Sequence, residues 1–245
     1  METAEFLHAL DREGRLLAAA AEEAGPGAKV PACPEWQVRD LLRHTGVVHW
    51  WAAGFVTDGH KAPRPMGDPP DLDGAELVAW YRDSHRHLVD TLAEAPSDVE
   101  CWTFHPAPSP SPLTFWTRRQ AHETAVHRFD AESARGGDPT AVGTEFAVDG
   151  IDELLRGFHA RRRSRVRTQE PRVLRVRATD ADAVWTVRLS AEPPVTVREA
   201  SGEADAELTG SAGQLYLALW NRLPVPSVTG DRSLAALWRE KSAIV

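Results

Sequence analysis

Residues 173–189 read VLRVRATDADAVWTVRL, and their period separates them from everything upstream. Apolar and polar residues alternate through 173–177 and again through 184–189, the two-residue repeat of a strand with one buried face. A third run, Val195-Thr196-Val197-Arg198, repeats the pattern, so three half-buried antiparallel strands are expected. After Ala206-Glu207-Leu208-Thr209-Gly210 come an apolar helix over 214–220 and another over 233–239. Together these make a small α+β unit.

Upstream the period is helical. A first helix is expected over 3–24, with Phe6, Leu7, Leu10, Leu16 and Leu17 on one face and Gly25-Pro26-Gly27 as its stop. A second starts after Cys33-Pro34-Glu35-Trp36 and runs to residue 57, a third covers 75–95, and a fourth covers 115–135, closed by Gly136-Gly137. Loops rich in proline, over 59–73 and 104–112, separate them. Four long helices predict an antiparallel bundle. A further helix over 146–163 leads into the strands. The fold class is therefore α+β, with a four-helix bundle over 1–144 and a small α+β domain over 145–245.

Composition narrows the function. The 245 residues carry 28 Lys+Arg against 36 Asp+Glu, a formal charge of −8, which disfavours general nucleic-acid binding. The charge is uneven: 13 basic and 22 acidic residues over 1–144, net −9, against 15 and 14 over 145–245, net +1. The Arg-rich run 161–167 reads as a solvated helix end or an inter-domain contact. No apolar run approaches the ~20 residues of a membrane helix. Residues 1–10 carry acids where a signal peptide carries bases, so a cytoplasmic location is expected. Cys33 and Cys101 lack CxxC spacing, which argues against a disulfide scaffold, a thiolate zinc knuckle or a dithiol redox site. Serine-elbow, P-loop and Rossmann glycine patterns are absent. Trp50, Trp51 and Trp80, at helical spacings, read as core.

The expected fourth helix contains AHETAVHRFD over 121–130. This is one residue too long for a zinc-protease HExxH motif, and a helix brings i and i+4 together while i and i+5 diverge. His122 and His127 therefore do not pair, whereas Glu123 and His127 do. On the second helix, His44 falls in the stripe Leu41, His44, Val48, Trp51, an otherwise apolar face. Two histidines and a glutamate with one open position form a catalytic zinc set, equally compatible with iron, manganese or nickel. On spacing alone, a hydrogen-bonded core histidine and a surface helix pair are the commoner origins of such residues. Asp130 and Glu132 read as solvated helix charges or as groups that orient ligands from behind.

Three segments carry a resemblance. VPACPEWQVRDLLRHTG over 30–46, RQAHETAVHRFDAE over 119–132, and LYLALWNR over 215–222 followed by Val228-Thr229-Gly230-Asp231 are similar, in order, to segments of the mycothiol-dependent maleylpyruvate isomerase family. The resemblance implies a DinB-like metal-binding bundle followed by a domain similar to sterol carrier proteins. It implies zinc at His44, Glu123 and His127, mycothiol as cosubstrate, and Arg222 as the residue that binds an anionic substrate or the thiol. Asn221 stands where the family usually has glycine, and Phe129 where tryptophan is common. The expected function is zinc-dependent addition of a thiol to a small electrophile, as in cis–trans isomerisation of maleylpyruvate or thiol transfer, with Glu123 as ligand rather than general base. Two alternatives use the same scaffold: a non-catalytic module that binds or senses a small ligand, and a secondary-metabolism enzyme with a larger substrate. The excess of arginine over lysine, 25 to 3, fits a GC-rich actinobacterial source. No nucleic-acid or membrane partner is expected.

Overall fold

Asp73 and Ser111 start two of the long helices: the Asp73 carboxylate accepts from the Gly74 N–H, and the Ser111 hydroxyl accepts from the Thr114 N–H with Pro112 in the first turn. Gly25, Gly59 and Gly136, all at positive φ, end three of them. The computed structural model describes residues 1–106 and 110–243. Residues 107–109, inside the expected 104–112 loop, and residues 244–245 lie outside the described residues. The chain divides into two compact units, Met1–Thr140 and Ala141–Val245. The first holds α1 (Thr3–Ala24), α2 (Val38–Asp58), α3 (Gly74–Glu94) and α4 (Pro112–Arg135).

The four helices pack together, but the expected antiparallel order is corrected. Along α1 and α4, Thr3 meets Thr114, Glu13 meets Arg128 and Glu23 meets Arg135, so these helices run parallel. Along α2 and α3, Arg39 pairs with Asp73, Gly46 packs under Trp80, and Trp50 stacks on His87, again parallel. The α1/α3 and α2/α4 pairs are antiparallel: Leu10 and Gly14 accept from His85 and Tyr81, and His44 and Trp51 face Glu123 and Trp116. The cause is the long 59–73 connection. Fifteen residues reach up to ~50 Å, enough to retrace the ~31 Å of α2 and begin α3 in the same direction. Two glycines permit the close contacts. A Cβ on Gly14 would stand 2.2 Å from the His85 ring, and one on Gly46 would stand 2.3 Å from the Trp80 ring. The core around them includes Leu17, Ala21, Val30, Leu41, Leu77 and Tyr81.

Helix α4 is buried on nearly every side, including its polar residues Arg119, Gln120, His122, Thr124, His127, Arg128, Asp130 and Glu132. Each charge there needs a partner. Arg128 finds two: its Nε donates to Glu13 at 2.7 Å and its Nη1 to Glu132 at 2.7 Å. Glu132 also accepts from the backbone N–H and hydroxyl of Thr140, at 2.8 Å each. Glu132 is thus neither a solvated charge nor a group behind a metal ligand; it helps lock α4 to α1.

The second unit holds α5 (Thr144–Asp152), a π-helical turn (Glu153–Phe158), β1 (Arg172–Ala178), β2 (Val184–Leu189), β3 (Val195–Val197), β4 (Ala206–Gly210), α6 (Ala212–Leu219), β5 (Ser227–Gly230) and α7 (Arg232–Lys241). The sheet order is β3-β2-β1-β4-β5. β1, β2 and β3 pair antiparallel as expected, with Val176 opposite Trp185. β4 adds parallel to β1 with Leu174 opposite Ala206, so the sheet is mixed. Leu174, Val176, Trp185, Val187 and Leu208 are buried, while Arg175, Arg177 and Arg188 alternate with them on the other face. The helix expected over 146–163 ends early, because the His159 N–H reaches back five residues to Leu154 at 3.0 Å and the coil widens. The arginines of 161–167 partly cap carbonyls, as Arg167 does at Ala191 and Arg162. Among the described residues, no helix is long and apolar enough to cross a membrane.

Candidate metal centre

The antiparallel α2/α4 contact sets His44 opposite two successive turns of α4. The Glu123 Oε1 atom lies 3.4 Å from His44 Nε2 and 3.2 Å from His127 Nε2. One ligand atom from each of the three residues falls within 4.8 Å of the other two. Metal–ligand bonds of ~2.1 Å in a tetrahedron place ligand atoms ~3.4 Å apart, so the spacing and the N, N, O chemistry fit a divalent ion such as zinc. The His44 side chain is 32% exposed and Glu123 22%, which gives this cluster access to solvent from the His44 side.

The loop before α2 closes one flank. Val30 N–H donates to Trp36 O at 3.1 Å and Trp36 N–H donates to Cys33 O at 2.8 Å, a tight double turn that folds the CPEW segment back on itself. The Trp36 ring then packs against both imidazoles, with centroids 5.0 Å from His44 and 6.2 Å from His127.

Two residues hold the candidate ligands from behind. Asp130, fully buried, holds His127 Nδ1 through Oδ2 at 3.0 Å. With Nδ1–H donated to Asp130, Nε2 is the ring nitrogen that faces the cluster and is left to bind an ion once its proton is lost. This removes the solvated-charge reading of Asp130. Arg119 Nη2 donates to Glu123 Oε2 at 3.1 Å, leaving Oε1 as the carboxylate atom aimed at the histidines. Burial opposes ionisation of Glu123, but hydrogen bonds from His127 and His44 and the charges of His127 and Arg119 outweigh it, holding the carboxyl well below its usual range. Burial also pulls His127 down, but the bonds to Asp130 and Glu123 prevail and raise it to about 9 in the metal-free chain.

The other candidates fall elsewhere. His122 is buried edge-on against Phe6, their rings 5.9 Å apart, and takes no part in the cluster. His49 Nε2 contacts Thr124 Oγ1 at 3.0 Å in the core, and burial first, then His85, depresses its pKa. Arg222 lies in the second unit, in the turn after α6, where its Nη1 donates to Trp220 O at 2.8 Å. Its neighbour Asn221 is the one non-glycine at positive φ among the described residues, at 63°. That is why glycine or asparagine suits this position, and the Asn221 amide also donates to Arg239 O and Ser242 Oγ. The sequence reading gave Arg119 and Trp36 no role. The i, i+4 spacing of Arg119 and Glu123 was the available signal for the first; Trp36 had none beyond its motif.

Residues 7–132 match the family model of the mycothiol maleylpyruvate isomerase N-terminal domain, and residues 145–237 match that of the MDMPI C-terminal domain. Among solved structures, the chain is similar to the mycothiol-dependent maleylpyruvate isomerase at 14% identity and a TM-score of 0.63, over 94% of this chain and 92% of that one. It is similar to a mutant of that isomerase at 13% identity and a TM-score of 0.61, over 90% of each chain. At such identities the likeness speaks for the fold. No curated protein matches the chain.

Proposed function

This chain belongs to the mycothiol maleylpyruvate isomerase family, and from that premise we propose that it is a metal-dependent enzyme that uses mycothiol to add to a small electrophile. His44, Glu123 and His127 would hold one divalent ion, zinc in the first instance. When bound, such an ion would supply a positive charge that favours the thiolate form of a nearby thiol at neutral pH. Asp130 fixes the ring and tautomer of His127, Arg119 fixes the carboxylate of Glu123, and neither touches substrate. With Oε2 engaged by Arg119, Glu123 serves as a ligand rather than as a mobile base. Arg222 pairs with a carboxylate of the substrate or thiol, the bidentate role for which guanidinium is suited; this assignment rests on its motif.

For maleylpyruvate, sulfur adds to one carbon of the cis double bond and the electron pair moves onto the conjugated carbonyl. The new single bond rotates. Return of the pair expels the same sulfur and leaves the trans isomer, with no atom gained or lost. With an electrophile that does not re-form a double bond, protonation of the adduct yields a thiol conjugate.

The observation that carries this reading is the convergence of two imidazole nitrogens and one carboxylate oxygen from helices whose motifs fall within the family match. The test is conversion of maleylpyruvate by chelator-stripped protein, with zinc and mycothiol added singly and together. Turnover only with both is expected, and its loss in His44→Ala. Turnover without thiol, or binding of both without turnover, contradicts the proposal.

A further inference from the structure

The bonds that orient the candidate ligands of α4 run along that helix, linking Arg119, Glu123, His127 and Asp130, and none of them places α2. His44 must nevertheless stand opposite Glu123 to within about 0.5 Å if three donors are to share an ion. Apolar contacts such as the edge-on pair of Trp51 and Trp116, with centroids 5.3 Å apart, hold helices together without fixing how far one slides along the other. A hydrogen bond fixes both distance and direction. His49, on the turn of α2 after His44, supplies one. Its Nε2 lies 3.0 Å from Oγ1 of Thr124, the residue next to Glu123 on α4, and both side chains are fully buried.

The bond has a direction. Burial, and then the neighbouring His85, hold His49 well below the usual imidazole range, so at neutral pH the ring is uncharged and carries one proton. Its Nδ1 has no hydrogen-bond partner among the described residues, and a buried N–H without an acceptor is harder to tolerate than a bare acceptor atom. The proton therefore sits on Nε2 and is donated to Thr124. Behind the ring stands α3, with the centroids of Tyr81 and His85 at 5.6 and 5.8 Å. Those two are anchored on α1 in turn, His85 at Leu10 O, 3.1 Å away, and Tyr81 at Gly14 O, 3.4 Å away. A polar seam thus joins all four helices beside the candidate ligands. We propose that His49 is a positioning residue of the metal centre, setting through Thr124 the register in which α2 presents His44 to Glu123 and His127. The inference rests on the metal-binding reading of those three residues, and neither His49 nor Thr124 belongs to the ligand set.

The test is cobalt(II) binding to the chelator-stripped chain, read from the visible absorption bands that report the geometry of the ligands. Thr124→Val keeps nearly the same shape and removes the acceptor, whereas Thr124→Ser keeps the hydroxyl. His49→Phe keeps a ring against Tyr81 and His85 and removes the donor. Thr124→Val and His49→Phe should each bind cobalt about tenfold more weakly than wild type and shift the bands even at saturation, while Thr124→Ser should match wild type in both. Spectra recorded well below the melting transition of each variant separate loss of geometry from loss of fold. Wild-type bands and affinity in Thr124→Val and His49→Phe, or a loss in Thr124→Ser as large as in Thr124→Val, would overturn the assignment and leave the metal centre standing. A folded wild-type chain that takes up no cobalt would overturn the metal centre itself, and this assignment with it.

Discussion

Replacing Asp130 with asparagine tests how much of the proposed metal centre would reside in residues that never touch the ion. Asp130 is fully buried and its Oδ2 lies 3.0 Å from His127 Nδ1. Asparagine keeps the shape and an acceptor oxygen but removes the charge that makes the imidazole more basic. Outer partners of this kind are worth roughly ten- to a hundredfold in metal affinity; with the hydrogen bond retained, the loss should be about tenfold, or ~1.4 kcal/mol. The loss should also depend on pH. The metal-free His127 titrates at about 9, and a proton on Nε2 competes with the ion, so wild-type affinity should rise with pH up to that value. Without the Asp130 charge the proton is held less tightly, which offsets part of the loss at pH 7. The variant should therefore fall further behind wild type at pH 9 than at pH 7. Zinc titration against a competing chelator at both pH values, with circular dichroism as the fold control, reads both effects. Wild-type affinity in Asp130→Asn at pH 9 would refute the reasoning.

Two other perturbations have defined outcomes. Arg128→Met strands Glu13 and Glu132 without their shared cation and should cost about 3–5 kcal/mol of stability; chemical denaturation showing under ~1 kcal/mol would contradict the buried network. His159 is buried with its pKa pulled to about 4, by burial first and then by Arg161. Because the folded value lies below the unfolded ~6.5, its contribution is complete above pH 6.5 and lost as pH falls toward 4, about 3 kcal/mol in all. His159→Phe should flatten the acid limb of the denaturation midpoint in that window, and an unchanged limb would count against it.

What the sequence made legible follows from local spacing. The i, i+4 relation of Glu123 and His127, and the place of His44 in an apolar stripe, depend only on helix periodicity. So does the switch to a two-residue period at Val173. What escaped depends on partners distant in sequence. Arg128 and Glu132 look like surface charges until Glu13 of α1 and Thr140 are brought to α4. Periodicity also carries no direction, so the parallel course of α2 and α3 was hidden in the length of the 59–73 connection. β4 and β5, of five and four residues, are too short to show an alternating pattern of their own. Trp50 read as core because a tryptophan in a helix usually is, yet it stacks on His87 of α3 and stays 44% exposed.

The most direct measurement of the central claim is the metal content of chain purified without chelator, compared with its His127→Ala variant. One divalent ion per wild-type chain and none in an equally folded variant is the predicted result. A folded wild-type chain without metal, or a variant that retains the full complement, would contradict the account.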